Sequence, residues 1–194
     1  SGVLRVAAPV GFAIGIMGRW NAEFKQQYPL IDLEMVFTHG GVHLVRDGYD
    51  CGFVVGDLED SSLIARKFDE TDPVLCASPD FIRQHGPIHS PEQLKELPWI
   101  CVGSREEGIH GCILANNETG QRMEVKQNAS VMVNHHEVAI HHMLAGQGVS
   151  VASRLFAYEP LIKGELVPIL PEWQVQQEPL YMVFPSGRHL AKKV

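Results

Sequence analysis

The feature that most constrains this chain is the order in which two hydrophobic periods alternate along it. "VLRVAAP" reads as a strand that stops at Pro9. "FAIGIMGRWNAEFKQQYP" follows with apolar residues at 12, 14, 16, 17, 20 and 24, close to a helical period, and ends at Pro29. "IDLEMVF" alternates apolar and polar through Ile31, Leu33, Met35 and Phe37, so it reads as a strand. "GGVHLVRDG" is a short helix closed by Gly48, and "YDCGFVVG" is an apolar, buried strand. Strand, helix, strand, helix, strand predicts parallel pairing with helices on both faces of a sheet.

The plan then recurs. "DPVLCAS" predicts a strand, "SPDFIRQHG" a helix and "SPEQLKELP" a short helix with Ser90 at its cap and Pro91 in its first turn. "WICVG" and "ASVMVN" are strands, with an irregular or hairpin stretch over 109–127 between them. A helix entered at Asn134, the strand "GVSVAS" and the helix "RLFAYEPLIKG" complete the second unit. "ELVPIL" and "EPLYMVFPSG" are strand-like chain left over at the end.

Charge and cysteines narrow the partners. The formal charge is −7 and the only basic cluster is the short "AKKV" end, so this chain alone makes a poor nucleic-acid surface. No apolar run approaches the roughly 20 residues of a membrane span. The first residues also lack the charged-then-apolar order of a signal peptide. Cys51, Cys76 and Cys101 each sit in an apolar run, and no C-x-x-C spacing is present. Reduced core cysteines in a cytoplasmic protein are the expectation. A thiol switch between Cys101 and Cys112 is a second reading, and it requires a reactive thiolate of lowered pKa.

Four of the ten histidines fall at 135, 136, 141 and 142. On a helix the neighbours are three or four residues apart, and none of these pairs has that spacing. His135 and His142 share a face but stand roughly 10 Å apart along the axis at 1.5 Å per residue. A zinc ion needs ligand nitrogens at about 2 Å, which no two of these on one straight helix meet; His39 and His43 of "HGGVH" have ligand spacing if that stretch is helical, but neither a metal nor a cofactor is the expectation. Catalysis is not expected either: there is no G-x-S-x-G elbow, no phosphate-binding glycine loop and no H-E-x-x-H.

In order and wording, the segments "LRVAAPVGFA", "EFKQQYPLIDLEMVF", "LVRDGYDCGFVVGDLEDSSLIARKF", "VLCASPDFIRQHG", "MLAGQGVSVASRLFA", "GELVPILPEW" and "LYMVFPSGRHLAKKV" resemble the regulatory, effector-binding domain of the LysR-type bacterial transcription regulators. The resemblance covers nearly all of the chain. It implies an α/β fold of two Rossmann-like subdomains with a central cleft, a type 2 periplasmic-binding-protein-like architecture. Subdomain I would hold 1–75 and 167–194, subdomain II 76–166, with crossings near Leu75–Ala77 and Gly164–Val167. It further implies a small-molecule effector, self-association to a dimer or tetramer through the "GVHLVRDG" and first long helices, and no membrane partner. Val42, Leu44 and Val45 would supply apolar interface surface. DNA would be bound only through an N-terminal winged helix-turn-helix that this chain lacks, and the last helix is expected to be cut after Val194. A free solute-binding receptor shares the fold and is the alternative.

Ligands of open α/β sheets bind at the carboxyl ends of strands. In that architecture the expected ligand-binding residues are Pro9, Val10, Gly11 and Phe12, then Thr38 and His39, Val55, the group Gly103, Ser104 and Arg105, and lastly Asn134 with His135. Helix-start N–H groups after Pro9 favour a polar or anionic molecule. Two departures from the family pattern bear on this. "GFVVG" lacks the basic residue the family commonly carries there, and "REEGIHGCILANNE" over 105–118 matches nothing in the pattern.

Overall fold

A computed structural model describes residues 2–13, 17–39, 43–58, 63–103 and 111–186. Contacts divide the chain into two compact units, Ser1–Thr71 with Glu178–Val194, and Asp72–Gln177.

The first unit is built on strands β1 (Gly2–Pro9), β2 (Ile31–Thr38), β3 (Cys51–Val55), β4 (Leu63–Glu70) and β13 (Pro179–Pro185). Their order is β2-β1-β3-β13-β4. β1 pairs parallel with β2 and β3, as the alternation predicted, while β13 runs antiparallel to both β3 and β4. The strand β4 was not legible as one: its outward face reads Arg66, Phe68 and Glu70 with Lys67 between, a half-polar edge rather than an apolar run. Side chains alternate across the sheet. Leu4, Val6, Phe53 and Leu180 pack on one face with Phe12, from α1 (Val10–Phe12), and Phe24, from α2 (Gly18–Gln27). Ala7 and Val183 pack on the other under Leu44 of α3 (Leu44–Asp47). A Cβ at Gly52 would come within 2.8 Å of Leu44 Cδ2, so glycine there lets α3 lie against the sheet.

The second unit repeats the strand order. Its strands are β5 (Pro73–Ala77), β6 (Trp99–Val102), β7 (Cys112–Asn116), β8 (Arg122–Val125), β9 (Ala129–Val133), β10 (Ser150–Ser153), β11 (Val167–Pro168) and β12 (Trp173–Val175). β9 and β6 pair parallel, and a parallel bridge between Trp99 and Val149 joins β6 to the β10 segment. β5 then runs antiparallel to β10 and β11. The series β9-β6-β10-β5-β11 thus has the same pattern of directions as β2-β1-β3-β13-β4. A Cβ at Gly148 would meet the Pro98 carbonyl oxygen at 2.6 Å, so only glycine allows the β6–β10 approach. Phe81, from α4 (Pro79–His85), and Leu94, from the 3-10 turn Pro91–Glu96, cover one face together with Leu114 and Val125 of the β7–β8 hairpin. Helices α5 (His136–Leu144) and α6 (Arg154–Lys163) cover the other through Ile140, Met143 and Ala157.

Two expectations shift. The chain passes between units at Thr71–Asp72 and Gln177–Glu178, not at Leu75–Ala77 and Gly164–Val167. Those two segments hydrogen-bond to each other inside the second unit, where Val167 pairs with Ala77. Leu44 is buried in the first unit's own core and so is no free interface residue, whereas Val45 is exposed; Val42 lies outside the described residues. The first long helix is seen as α1 and α2, with 14–16 outside the described residues.

Candidate functional site

In the first unit the carboxyl ends of the three parallel strands fall on one sheet edge. Pro9 pairs with Thr38 at the last rung of β1 and β2, and β3 ends level with them at Val55. Helix α1 begins directly at Val10, with Pro9 as its N-cap and no acidic residue in its first turn. Pro9, Val10, Gly11, Thr38 and Val55 are half-buried there, and His39 is exposed. Phe12 points the other way: it is 8% exposed and stacks on Phe53 with ring centroids 5.9 Å apart, so it supports the edge from the core. Gly56 turns the chain at φ 80° after β3, a conformation that favours glycine.

The second unit has the equivalent edge. Val102 pairs with Val133, and the Gly103 N–H donates to the Val133 carbonyl at 2.8 Å, which places Gly103 beside Asn134 and His135. The helix α5 is entered one residue later than expected. Its N-cap is His135 rather than Asn134, and the imidazole makes no side-chain cap bond. His136 stacks on Phe156 of α6, with centroids 4.9 Å apart and planes 8° from parallel. Burial, and secondarily the charge of His135, hold the His136 imidazole below its ordinary pKa of 6.5. Ser104 and Arg105 lie outside the described residues.

One part of this edge was missed. β10 ends at Ser153, and Arg154 opens α6 at the same carboxyl edge, 3.0 Å from the Asp72 carboxylate. The signal was available, because "GVSVAS" followed by a helix marks a third strand end just as "WICVG" does.

Among the described residues no cluster of His, Cys, Asp and Glu side chains could hold a metal ion. The four cysteines are free and buried. Burial pushes Cys51 up to about 11 and Cys76 and Cys112 up to about 12, and it raises Cys101 as well. The Cys101 thiol donates to Gln127 Oε1 at 3.2 Å. A thiol switch needs the opposite shift. No helix among the described residues is long and apolar enough to cross a membrane.

Two α/β units whose strand-end edges offer backbone N–H groups, hydroxyls and imidazoles have the equipment of a ligand-binding domain. Comparison with known proteins gives the family: the model of the LysR substrate binding domain matches residues 1–194, and the chain belongs to that family. It is 30% identical over 198 residues to an HTH-type transcriptional repressor of Pseudomonas aeruginosa, covering all of this chain and 61% of that protein. It is 30% identical over 193 residues to the HTH-type transcriptional regulator DmlR of Escherichia coli, covering all of this chain and 62% of that protein. The chain therefore spans less than two thirds of the length of these relatives. Among solved structures, the regulatory domain of AphB from Vibrio vulnificus superposes with a TM-score of 0.82 at 25% identity, over 99% of this chain and 94% of that one. The two-subdomain, periplasmic-binding-protein-like fold is that of the family.

Proposed function

We propose that this chain is the effector-sensing part of a cytoplasmic transcription regulator. The observation that supports this reading is the strand pairing that brings Pro9 to Thr38 and Val102 to Val133 at the carboxyl ends of each unit's parallel strands. The effector is a small polar or anionic molecule. It engages Pro9–Phe12, Thr38, His39 and Val55 at the first unit's edge, and Gly103, Ser104, Arg105, Asn134 and His135 at the second's. Arg154 adds a cation to the second edge, which offsets the missing basic residue in "GFVVG". The domain self-associates, with the exposed Trp20 of α2 and Val45 of α3 as apolar contacts. It signals to a DNA-binding domain carried by the part of the protein that this chain does not include. The relatives above are transcription regulators, which favours this reading over a free solute receptor or an enzyme.

A thermal-shift screen of small carboxylates, phosphates and amino acids identifies the effector, since a molecule that binds the folded state raises the midpoint. Ser104→Ala and His135→Ala should then each weaken it by roughly two- to tenfold, the equivalent of one hydrogen bond of about 0.5–1.5 kcal/mol. An affinity unchanged in both variants removes these residues from the site.

A further inference from the structure

Helices α3 and α5 hold corresponding places in the two repeated strand orders: α3 joins β2 to β3, and α5 joins β9 to β10. They are tied down differently. α5 buries Ala139, Ile140 and Met143, whereas α3 buries Leu44 and leaves Val45, Arg46 and Asp47 exposed. Leu44 packs with Ala7 and Val183, in the space that the missing Cβ of Gly52 leaves. The turn is closed by the Asp47 N–H, which donates to the His43 carbonyl at 3.0 Å, and the Tyr49 N–H, which donates to the Leu44 carbonyl at 2.9 Å. An element with one buried side chain and exposed backbone bonds opens at the low end of local stability.

A second anchor comes from the sheet. Arg5 of β1 stands in register with Glu34 of β2, two residues before Ala7 and therefore on the face that α3 covers. Its guanidinium forks onto the Glu34 carboxylate, Nε to Oε2 at 3.0 Å and Nη2 to Oε1 at 3.1 Å. Nη1 donates to the Asp47 and Gly48 carbonyls, both at 3.0 Å. These carbonyls lie at the end of α3, where a helix has no partners of its own to offer. The guanidinium also lies over the Tyr49 ring, 5.2 Å from its centroid, and the Arg5 backbone N–H donates to Asp50 Oδ2 at 2.9 Å. One planar group thus joins β1, β2 and the end of α3, a geometry that a lysine ammonium does not reproduce. The Arg5 and Glu34 side chains are 37% and 46% exposed, so water competes for the clamp and it can release.

We propose that Arg5 is the latch of α3. It holds the helix against the sheet, and its release lets α3 open while the sheet stays folded. α3 begins at Leu44, shortly after β2 ends at Thr38, so the element that opens follows directly on one of the candidate strand ends. That the latch serves an effector rests on the regulator reading. The latch itself belongs to the ligand-free chain, and the test uses no effector.

Amide exchange reads the latch. In the wild type the Asp47 and Tyr49 amides should be protected. Arg5→Met should speed their exchange roughly tenfold or more, with the amides of β1 and β3 within about twofold of wild type. Arg5→Lys keeps the charge but reaches fewer of the four acceptors at once, so its rates should fall between the two. Glu34→Gln leaves both α3 carbonyls to Arg5 and should speed exchange less than Arg5→Met does. Unprotected Asp47 and Tyr49 amides in the wild type, or wild-type rates in Arg5→Met, overturn the latch. A rise shared equally by α3, β1 and β3 overturns it as well, because Arg5 would then be holding the sheet. If Arg5→Met loses its circular-dichroism signature of folding, Arg5→Lys decides: a rise confined to α3 is expected, and wild-type rates overturn the proposal. A screen that finds no effector would remove the functional reading and leave these outcomes standing.

Discussion

In the second unit Trp99, Phe81, Leu94, Ile100, Leu114 and Met143 are each less than 2% exposed, while among the described residues of the first unit Leu44 and Val183 are the large side chains buried that far. The exposed side differs in the opposite sense. Val3, Trp20, Tyr28, Leu30, Val45 and Phe68 all leave apolar surface in water on the first unit, and α2 has no fully buried residue, Phe24 being half-buried against the sheet. Both units use one strand order, so topology does not cause the difference. The second unit adds the β7–β8 hairpin, β12 and the 3-10 turn as a layer over one face of its sheet, and Leu94, Leu114, Val125 and Val175 fill the space beneath. Among the described residues, the first unit's faces are covered by α1, α2 and α3. A shared plan therefore sets where the strand ends lie, while the extra layer adds buried apolar core to the second unit. The first unit leaves more of its large apolar side chains in water, although Leu155, Tyr158 and Ile162 of α6 are exposed on the second.

The sharpest way to break that contrast is to truncate one tryptophan in each unit. Trp99 is fully buried and its Nε1–H donates to the Leu94 carbonyl at 2.8 Å. Trp99→Ala should cost about 3–5 kcal/mol, the usual range for a large aromatic removed from a packed core, read as a lower urea midpoint. Trp20, at 46% exposed, should change monomer stability by no more than about 0.5 kcal/mol when cut to Ala. It should instead weaken self-association in sedimentation. Equal urea midpoints for the two variants would mean that the units are equally thick.

A smaller effect is expected at the helix starts. Ser78 is 3% exposed, and its Oγ accepts the Phe81 N–H at 3.2 Å at the entrance of α4. Ser78→Ala should cost about 1 kcal/mol, the common value of an N-cap. In the first unit α2 starts at Met17 without any side-chain cap bond. If Ser78→Ala leaves the unfolding midpoint of the chain unchanged, the stability of the second unit does not depend on how its helices are tied down.

How much of this could be read beforehand followed from the physics of each element. Strands β1, β2, β3, β5, β6 and β10 are apolar or cleanly alternating and sit between helices, so their order and their carboxyl ends were legible. β4 was not, because an edge strand carrying Arg66, Lys67 and Asp69 has no apolar period to detect. The family resemblance put the crossings near Leu75–Ala77 and Gly164–Val167, whereas contacts divide the chain at the polar steps Thr71–Asp72 and Gln177–Glu178. Strand-end logic named Pro9, Thr38, Val55, Gly103 and His135 as site candidates, and the pairing sets Pro9 beside Thr38 and Val102 beside Val133 at strand ends. It also put Phe12 there, whose side chain the core claims through Phe53. Arg154 was overlooked although the strand end that carries it was legible in "GVSVAS" and the helix after it.

The smallest expected effect is the most local, and it probes the histidine-rich helix of the better-packed unit. His136 stacks on Phe156, so this ring ties α5 to α6. Burial first, and the charge of His135 second, hold its pKa below 6.5. In the unfolded chain an imidazole takes up its proton as pH falls through about 6.5, while the folded ring at position 136 resists protonation to lower pH. Between those two values the unfolded state binds more protons, so stability is full above about 6.5 and declines as the pH drops toward the folded pKa, below which no further loss comes from this group. His136→Phe keeps an aromatic ring against Phe156 and removes the titration. The variant should match the wild type near pH 8 and lose less stability than it does between about pH 6.5 and 5, measured as the difference between their urea midpoints across that range. Parallel midpoint curves would show that position 136 is wet enough to be protonated in the folded state. The α5–α6 contact would then be no better sealed than the surface of the first unit.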